Sequence, residues 1–130
     1  MVDSDDKQQE VLGFIQEHID TVPELEALLL LWQHRPNSWK VEDLAQRLYI
    51  PLEETRAVLL DLNRKQLISA SPDEADTFRY NLDSPKRNDL IRRTEELYRR
   101  QVVRISTMIH SKPSSAVRDF ARAFRFTKEK

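Results

Sequence analysis

A single glycine in 130 residues is the tightest constraint on what this chain can fold into. Average usage near 7% would give roughly nine. Glycine turns the backbone through positive φ without steric cost and lets a backbone approach a phosphate closely. With Gly13 alone there is no P-loop and no G-x-G-x-x-G turn, since both need several glycines beside the phosphates. Cysteine is absent as well, which excludes a disulfide framework, a thiolate zinc site and a catalytic thiol. Helices need neither residue.

Charge is divided along the chain. Residues 1–83 hold 8 Lys and Arg against 17 Asp and Glu, a net of −9, and residues 84–130 hold 13 against 5, a net of +8. The formal total of −1 hides an acidic front and a basic rear. Such a split is a statement about partners, and it includes complementarity within one chain or between two copies. The start of the chain carries Asp3, Asp5 and Asp6 with no apolar stretch behind them, so it does not read as a signal peptide. The longest uncharged apolar stretch, residues 27–34, is far short of the ~20 residues of a membrane span. The expectation is a cytoplasmic protein without a membrane partner.

Apolar spacing then divides the chain into elements. Residues 1–6 read as an acidic tail. Val11, Leu12, Ile15 and Ile19 mark a helix over 7–19, weakened at Gly13 by about 1 kcal/mol relative to Ala. Thr21-Val22-Pro23-Glu24 is a capping box. Its Thr21 hydroxyl accepts from the Glu24 amide, and the Glu24 carboxylate reaches back to the Thr21 amide. The helix it opens runs to Gln33 with Leu25, Leu28, Leu29 and Trp32 on one stripe. Leu30 and Leu31 widen that stripe, which predicts a central, nearly buried helix. Trp39 anchors a short strand. Helices are predicted over 41–48 and 51–65, with Leu44, Ala45, Leu48, Thr55, Val58, Leu59 and Leu62 inward. Residues 67–70 and 77–80 read as two strands around the acidic tip 71–76. Ser84-Pro85 starts a helix that runs to His110, about 27 residues or ~40 Å. Its coiled-coil-like seam is Ile91, Thr94, Tyr98, Val102, Ile105 and Ile109. A last amphipathic helix, after Pro113, sets Val117, Phe120, Ala121 and Phe124 opposite Arg118, Arg122 and Arg125.

The order helix, helix, turn, helix, hairpin across residues 21–82 resembles a winged helix-turn-helix of the kind found in bacterial transcription regulators. Residues 41–48 resemble the first helix of the motif, with Leu44-Ala45 at the helix crossing. Residues 50–59 resemble its turn and recognition helix, and Gln66-Leu67-Ile68 its exit into the wing. The family pattern often carries Gly where this chain has Tyr49 and Gln66. The fold expected is therefore mainly α: a winged helix (three-helix core plus a small β-hairpin), an N-terminal helix, and a long C-terminal helix followed by a short one. The organisation expected is an acidic tail and helix over 1–20, the winged helix over 21–82, and a dimerisation or partner-docking part over 83–130.

Two functions follow from the resemblance. In one, the chain is a homodimeric transcription regulator that binds double-stranded DNA, the second helix of the motif entering the major groove. Its candidate nucleic-acid contacts are Arg56, Asn63, Arg64, Arg92, Arg93, Arg99 and Arg100. In the other, the winged helix is a protein-interaction module, because fold alone does not decide between these uses. Leu52, Arg56 and Leu60 then form a mixed stripe for a partner helix, while Glu53, Glu54 and the acidic wing tip Asp73, Glu74 and Asp76 oppose phosphate. Candidate dimer or partner contacts are Ile91, Tyr98, Val102, Ile105, Ile109, Phe120 and Phe124. His18, His34 and His110 sit far apart without metal-ligand spacing, and Glu53-Glu54 and Glu95-Glu96 diverge by about 100° on a helix, so neither is a facing acid/base pair. The sequence thus points to no enzyme, no cofactor and no metal.

Overall fold

The computed structural model describes residues 2–113. Along the chain it forms α1 (Val2–His18), α2 (Val22–Gln33), β1 (Trp39–Lys40), α3 (Val41–Leu48), α4 (Leu52–Arg64), β2 (Ile68–Ala70), β3 (Thr77–Tyr80), α5 (Pro85–Arg100) and α6 (Val102–His110). The C-terminal amphipathic segment, with Phe120 and Phe124, lies outside the described residues. Among the described residues, no helix is long and apolar enough to cross a membrane.

Helix α2 occupies the centre. Its apolar residues cover most of its circumference, and Leu25, Ala27, Leu28 and Leu31 are fully buried. Thr21 caps it, its Oγ1 accepting from the Glu24 amide at 3.2 Å. The reciprocal half of the capping box differs from expectation: the Glu24 carboxylate accepts from the Asp20 amide at 2.8 Å. Helices α4, α3, α5 and α6 and strand β3 all pack on α2, while α1 lies against α5. One core runs from Val11 through Leu28, Leu59, Phe78 and Ile91 to Ile109. The sheet is antiparallel in the order β1-β3-β2, with Trp39 opposite Phe78 and Ile68 opposite Tyr80. Tyr80 turns into the core edge-on to Trp32, ring centroids 5.0 Å apart, and its hydroxyl donates to Asn88 Oδ1 at 2.9 Å.

Two boundaries differ from the sequence reading. Helix α1 begins at Val2 rather than Lys7, and Asp5 and Asp6 near its start suit the positive end of a helix dipole. The single helix expected over 84–110 is two helices, because Gln101 leaves helical geometry at φ −133° and ψ 50°. Ser84 caps α5 as expected, accepting from the Arg87 amide at 3.1 Å. The break returns α6 to α2. The seam read as a partner contact is therefore corrected at three positions: Ile91, Ile105 and Ile109 are buried in the core of their own chain. The apolar residues left outside lie at the joint, Val102 at 46% exposure and Val103 at 79%.

This division sets an expected outcome. Ile105→Ala should lower the unfolding free energy by about 2–5 kcal/mol, whereas Glu54→Gln, at an exposed position outside the core, should change it by less than about 0.5 kcal/mol. Urea denaturation of both variants checks it; equal losses would contradict the packing described.

Candidate nucleic-acid interface

The helix-turn-helix is set by two residues that take the glycine conformation without being glycine. Tyr49 closes α3 in the left-handed region at φ 58°, its amide donating to the Ala45 carbonyl. Pro51 and Thr55 then start α4, the Thr55 hydroxyl donating to the Pro51 carbonyl at 2.9 Å from a fully buried position. Gln66 closes the far end at φ 65°. Its carbonyl accepts from Asn81 Nδ2 at 3.0 Å and from Arg87 Nη1 at 2.9 Å, which ties the exit of α4 to β3 and α5. These are the two positions at which the resemblance called for Gly. A left-handed non-glycine residue costs of order 1 kcal/mol or more and persists only where its surroundings hold it. The Tyr49 side chain is 93% exposed, so backbone bonds rather than packing hold that turn.

Thr55, Leu59 and Leu62 point α4 at the core, which leaves Leu52, Glu53, Arg56 and Leu60 outside. Arg56 bridges helix and wing: Nη1 donates to Glu53 Oε1 at 2.7 Å and Nη2 to Asp76 Oδ2 at 3.0 Å. Asp76 also holds the hairpin to α3, its carbonyl accepting from the Val41 amide at 2.9 Å. Arg64 pairs with Asp61. Asn63 is half-buried. The wing tip exposes Asp73, Glu74 and Asp76, and Lys40 stands 4.0 Å from Glu74.

The other candidate arginines stand apart, on α5. Arg92 pairs with Asp89 at 2.8 Å and Glu96 at 2.9 Å. Arg99 pairs with Glu95 at 3.4 Å. Arg93 is a clamp between helices: it meets Asp89 at 3.0 Å and Glu10 at 3.6 Å and donates to the Lys7 carbonyl at 3.2 Å. Among the described residues Arg100 has no ion-pair partner. The basic ridge is thus largely answered by acids three and four residues away. Such exposed pairs are worth under about 1 kcal/mol and exchange for a stronger anion without large loss.

A second charged cluster was not singled out from the sequence. Asp20, Glu24 and Asp61 bring carboxylate oxygens within 4.8 Å of one another. Lys65 Nζ sits among them, 3.1 Å from Glu24, 2.8 Å from Asp61 and 3.4 Å from Asp20, and it also donates to the His18 carbonyl at the end of α1. An ammonium already occupies the place a cation would take. Burial raises the Glu24 carboxyl to about 8, assisted by its hydrogen bond with Asp61. Asp61 is held low by that same bond, with Lys65 and Arg64 beside it. The signal in the sequence was Glu24 itself, a carboxylate within the apolar run of the central helix.

No family model and no curated protein matches the chain. Solved structures do. MepR, described as a transcription regulator of the Staphylococcus aureus multidrug efflux pump MepA, superposes with a TM-score of 0.51 at 16% identity, covering 98% of this chain and 90% of that one. A glycine-to-arginine mutant of MepR gives 0.50 at 17% identity, over 98% and 88%. A MarR family protein from Bacillus stearothermophilus gives 0.48 at 17% identity, over 97% and 85%. The MepR likeness extends beyond the helix-turn-helix to the flanking helices, and at this identity it speaks for fold. The chain has a mainly helical winged helix-turn-helix fold, as its motif implied.

Glu24 makes the stability depend on pH in an unusual direction. Its folded-state carboxyl keeps a proton up to about pH 8, while the unfolded one releases it near 4.5. Its contribution is therefore complete below pH 4.5 and lost as pH rises through 8. Glu24→Gln reproduces the protonated group, accepting from Asp20 and Lys65 and donating to Asp61. Thermal melts from pH 5 to 8 should show the parent falling relative to Glu24→Gln. A constant difference between the two would refute the assignment.

Proposed function

We propose that the chain is a non-enzymatic transcription regulator that binds double-stranded DNA through α4 as a homodimer. The observation that carries this is the outward presentation of α4 beside a β-hairpin wing, in a fold shared along nearly the whole chain with a structure described as a transcription regulator. In this reading Arg56, Asn63 and Arg64 supply the contacts of α4, the two arginines leaving Glu53, Asp76 and Asp61 for the DNA. The wing adds none of the phosphate anchoring that basic residues supply. Affinity then depends on α4 and on pairing two half-sites. The α5 arginines Arg92, Arg99 and Arg100 remain available for backbone contacts, and Arg93 keeps its structural role between α1 and α5.

A mobility-shift assay at two salt concentrations tests this. Arg56→Ala should weaken specific binding by about 1–3 kcal/mol, roughly 5- to 150-fold. Asp73→Lys with Glu74→Lys should strengthen binding to any duplex and steepen its salt dependence. A specific observation favours the second reading, a protein-interaction module: Leu52 and Leu60 are 39% and 54% exposed beside the acidic wing. Absence of duplex binding even at low salt would select that reading.

With Ile91, Ile105 and Ile109 in the core, the homodimer contact we propose rests on Tyr98 and Val102, joined by Val103. Val102→Glu with Val103→Glu should halve the mass in light scattering while leaving the far-ultraviolet dichroism intact. An unchanged dimer mass would place the contact elsewhere.

A further inference from the structure

An open groove of about 520 Å³ lies where the end of α3 meets α2 and the joint between α5 and α6. Leu30, Leu48, Tyr49, Tyr98 and Val102 supply its apolar wall, and of these Tyr49 and Val102 are exposed. A left-handed turn is made more cheaply by Gly, and the Tyr49 ring, out in solvent, adds nothing to the core of its own chain. The aromatic group thus serves neither its turn nor its core. The rim of the groove carries both signs of charge. Gln33, Glu95 and Arg99 answer one another, Gln33 Nε2 donating to Glu95 Oε2 at 2.6 Å and Arg99 pairing with the same carboxylate at 3.4 Å. Glu26 and Arg47 are exposed and do not pair. Glu26 accepts from the Tyr98 hydroxyl at 3.1 Å, the Arg47 guanidinium lies 5.4 Å from the centroid of the Trp39 ring, and neither has an ion-pair partner among the described residues.

We propose that a second copy of the chain docks in this groove across a two-fold axis, with Tyr49 of each copy against the groove of the other and Arg47 of each opposite Glu26 of the other. The proposal rests on the homodimer reading above and adds the turn of the helix-turn-helix to its contact. A surface that meets itself must carry its own complement, because residue i of one copy touches residue j of the other and j touches i. One unpaired acid and one unpaired base on a single rim meet that requirement, whereas a partner of either charge would set one of them against its like. The groove is continuous with the contact already proposed, since Tyr98 and Val102 line it. An exposed aromatic beside such a groove is the kind of anchor on which interfaces concentrate their binding energy. Tyr49 stands two residues before Pro51, the N-cap of α4, so docking here fixes the start of α4 in one copy relative to the other. This holds whether α4 meets DNA or protein.

Sedimentation velocity on the full chain over a concentration series tests this. Tyr49→Gly suits the backbone at φ 58°, so its far-ultraviolet dichroism should match the parent while its dimer dissociation constant rises about tenfold or more. Arg47→Glu leaves two unpaired acids on each rim and Glu26→Arg two unpaired bases, so each variant alone should sediment as a monomer under conditions where the parent is dimeric. An equimolar mixture of the two should restore the dimer, because every acid then faces a base. Single variants that still dimerise, monomers that persist in the mixture, or a Tyr49→Gly dimer as tight as the parent's would overturn the proposal and leave the homodimer reading standing. A parent that is monomeric throughout the series would overturn both.

Discussion

The burial of α2 is the constraint on which the rest of this structure depends. A helix whose apolar residues cover most of its circumference must be enclosed, and a chain of this length has few ways to enclose one. Helices α3 and α4 take one side, β3 closes another with Tyr80 on Trp32, and α5 and α6 take the remainder. The order of the winged helix follows from that enclosure. Helix α4 turns Thr55, Leu59 and Leu62 to α2 and has no choice but to leave Leu52, Glu53, Arg56 and Leu60 in water. The same enclosure draws Glu24 inward with the leucines around it, so that Lys65 and Asp61 on α4 must satisfy a carboxylate that α2 carries below the surface.

Legibility was highest where a local rule and the core agreed. Thr21 and Ser84 cap the helices they were expected to cap. Residues 41–48 form α3 as its spacing of Leu44 and Ala45 predicted, and the acidic tip 71–76 separates two strands that pair. The break at Gln101 was not legible, because Arg100-Gln101-Val102 holds no Gly or Pro and the apolar spacing continues through it. Its cause is tertiary: Ile105 and Ile109 reach α2 only if the helix turns back. The cluster around Lys65 was hidden for a similar reason. Its members come from α2, α4 and the loop at Asp20, and only the fold brings them together. Of the candidate site residues, Arg93 is the instructive case. Its spacing placed it on a basic ridge, whereas its partners on α1 make it a joint between helices.

Most candidate arginines of α4 and α5 are answered locally. Arg56, Arg64, Arg92 and Arg99 each meet an acid three or four residues away. A surface of this kind binds an incoming polyanion by exchanging partners, so the net gain is the difference between two ion pairs rather than the whole of one. That is a quieter electrostatic signature than an uncompensated basic groove, and under the proposed DNA reading it would move the weight of recognition to shape and to the few polar groups at α4.

The joint at Gln101 has a consequence for assembly. An unbroken apolar helix would reach away from the domain and need a second chain to cover it, so folding and association would be one event. Here Ile105 and Ile109 find their cover at home. Among the described residues the core closes within one chain, so an oligomer would join subunits that already bury it. An oligomer of such subunits adds to their stability by mass action, so melting shifts with protein concentration even though each subunit folds around its own core.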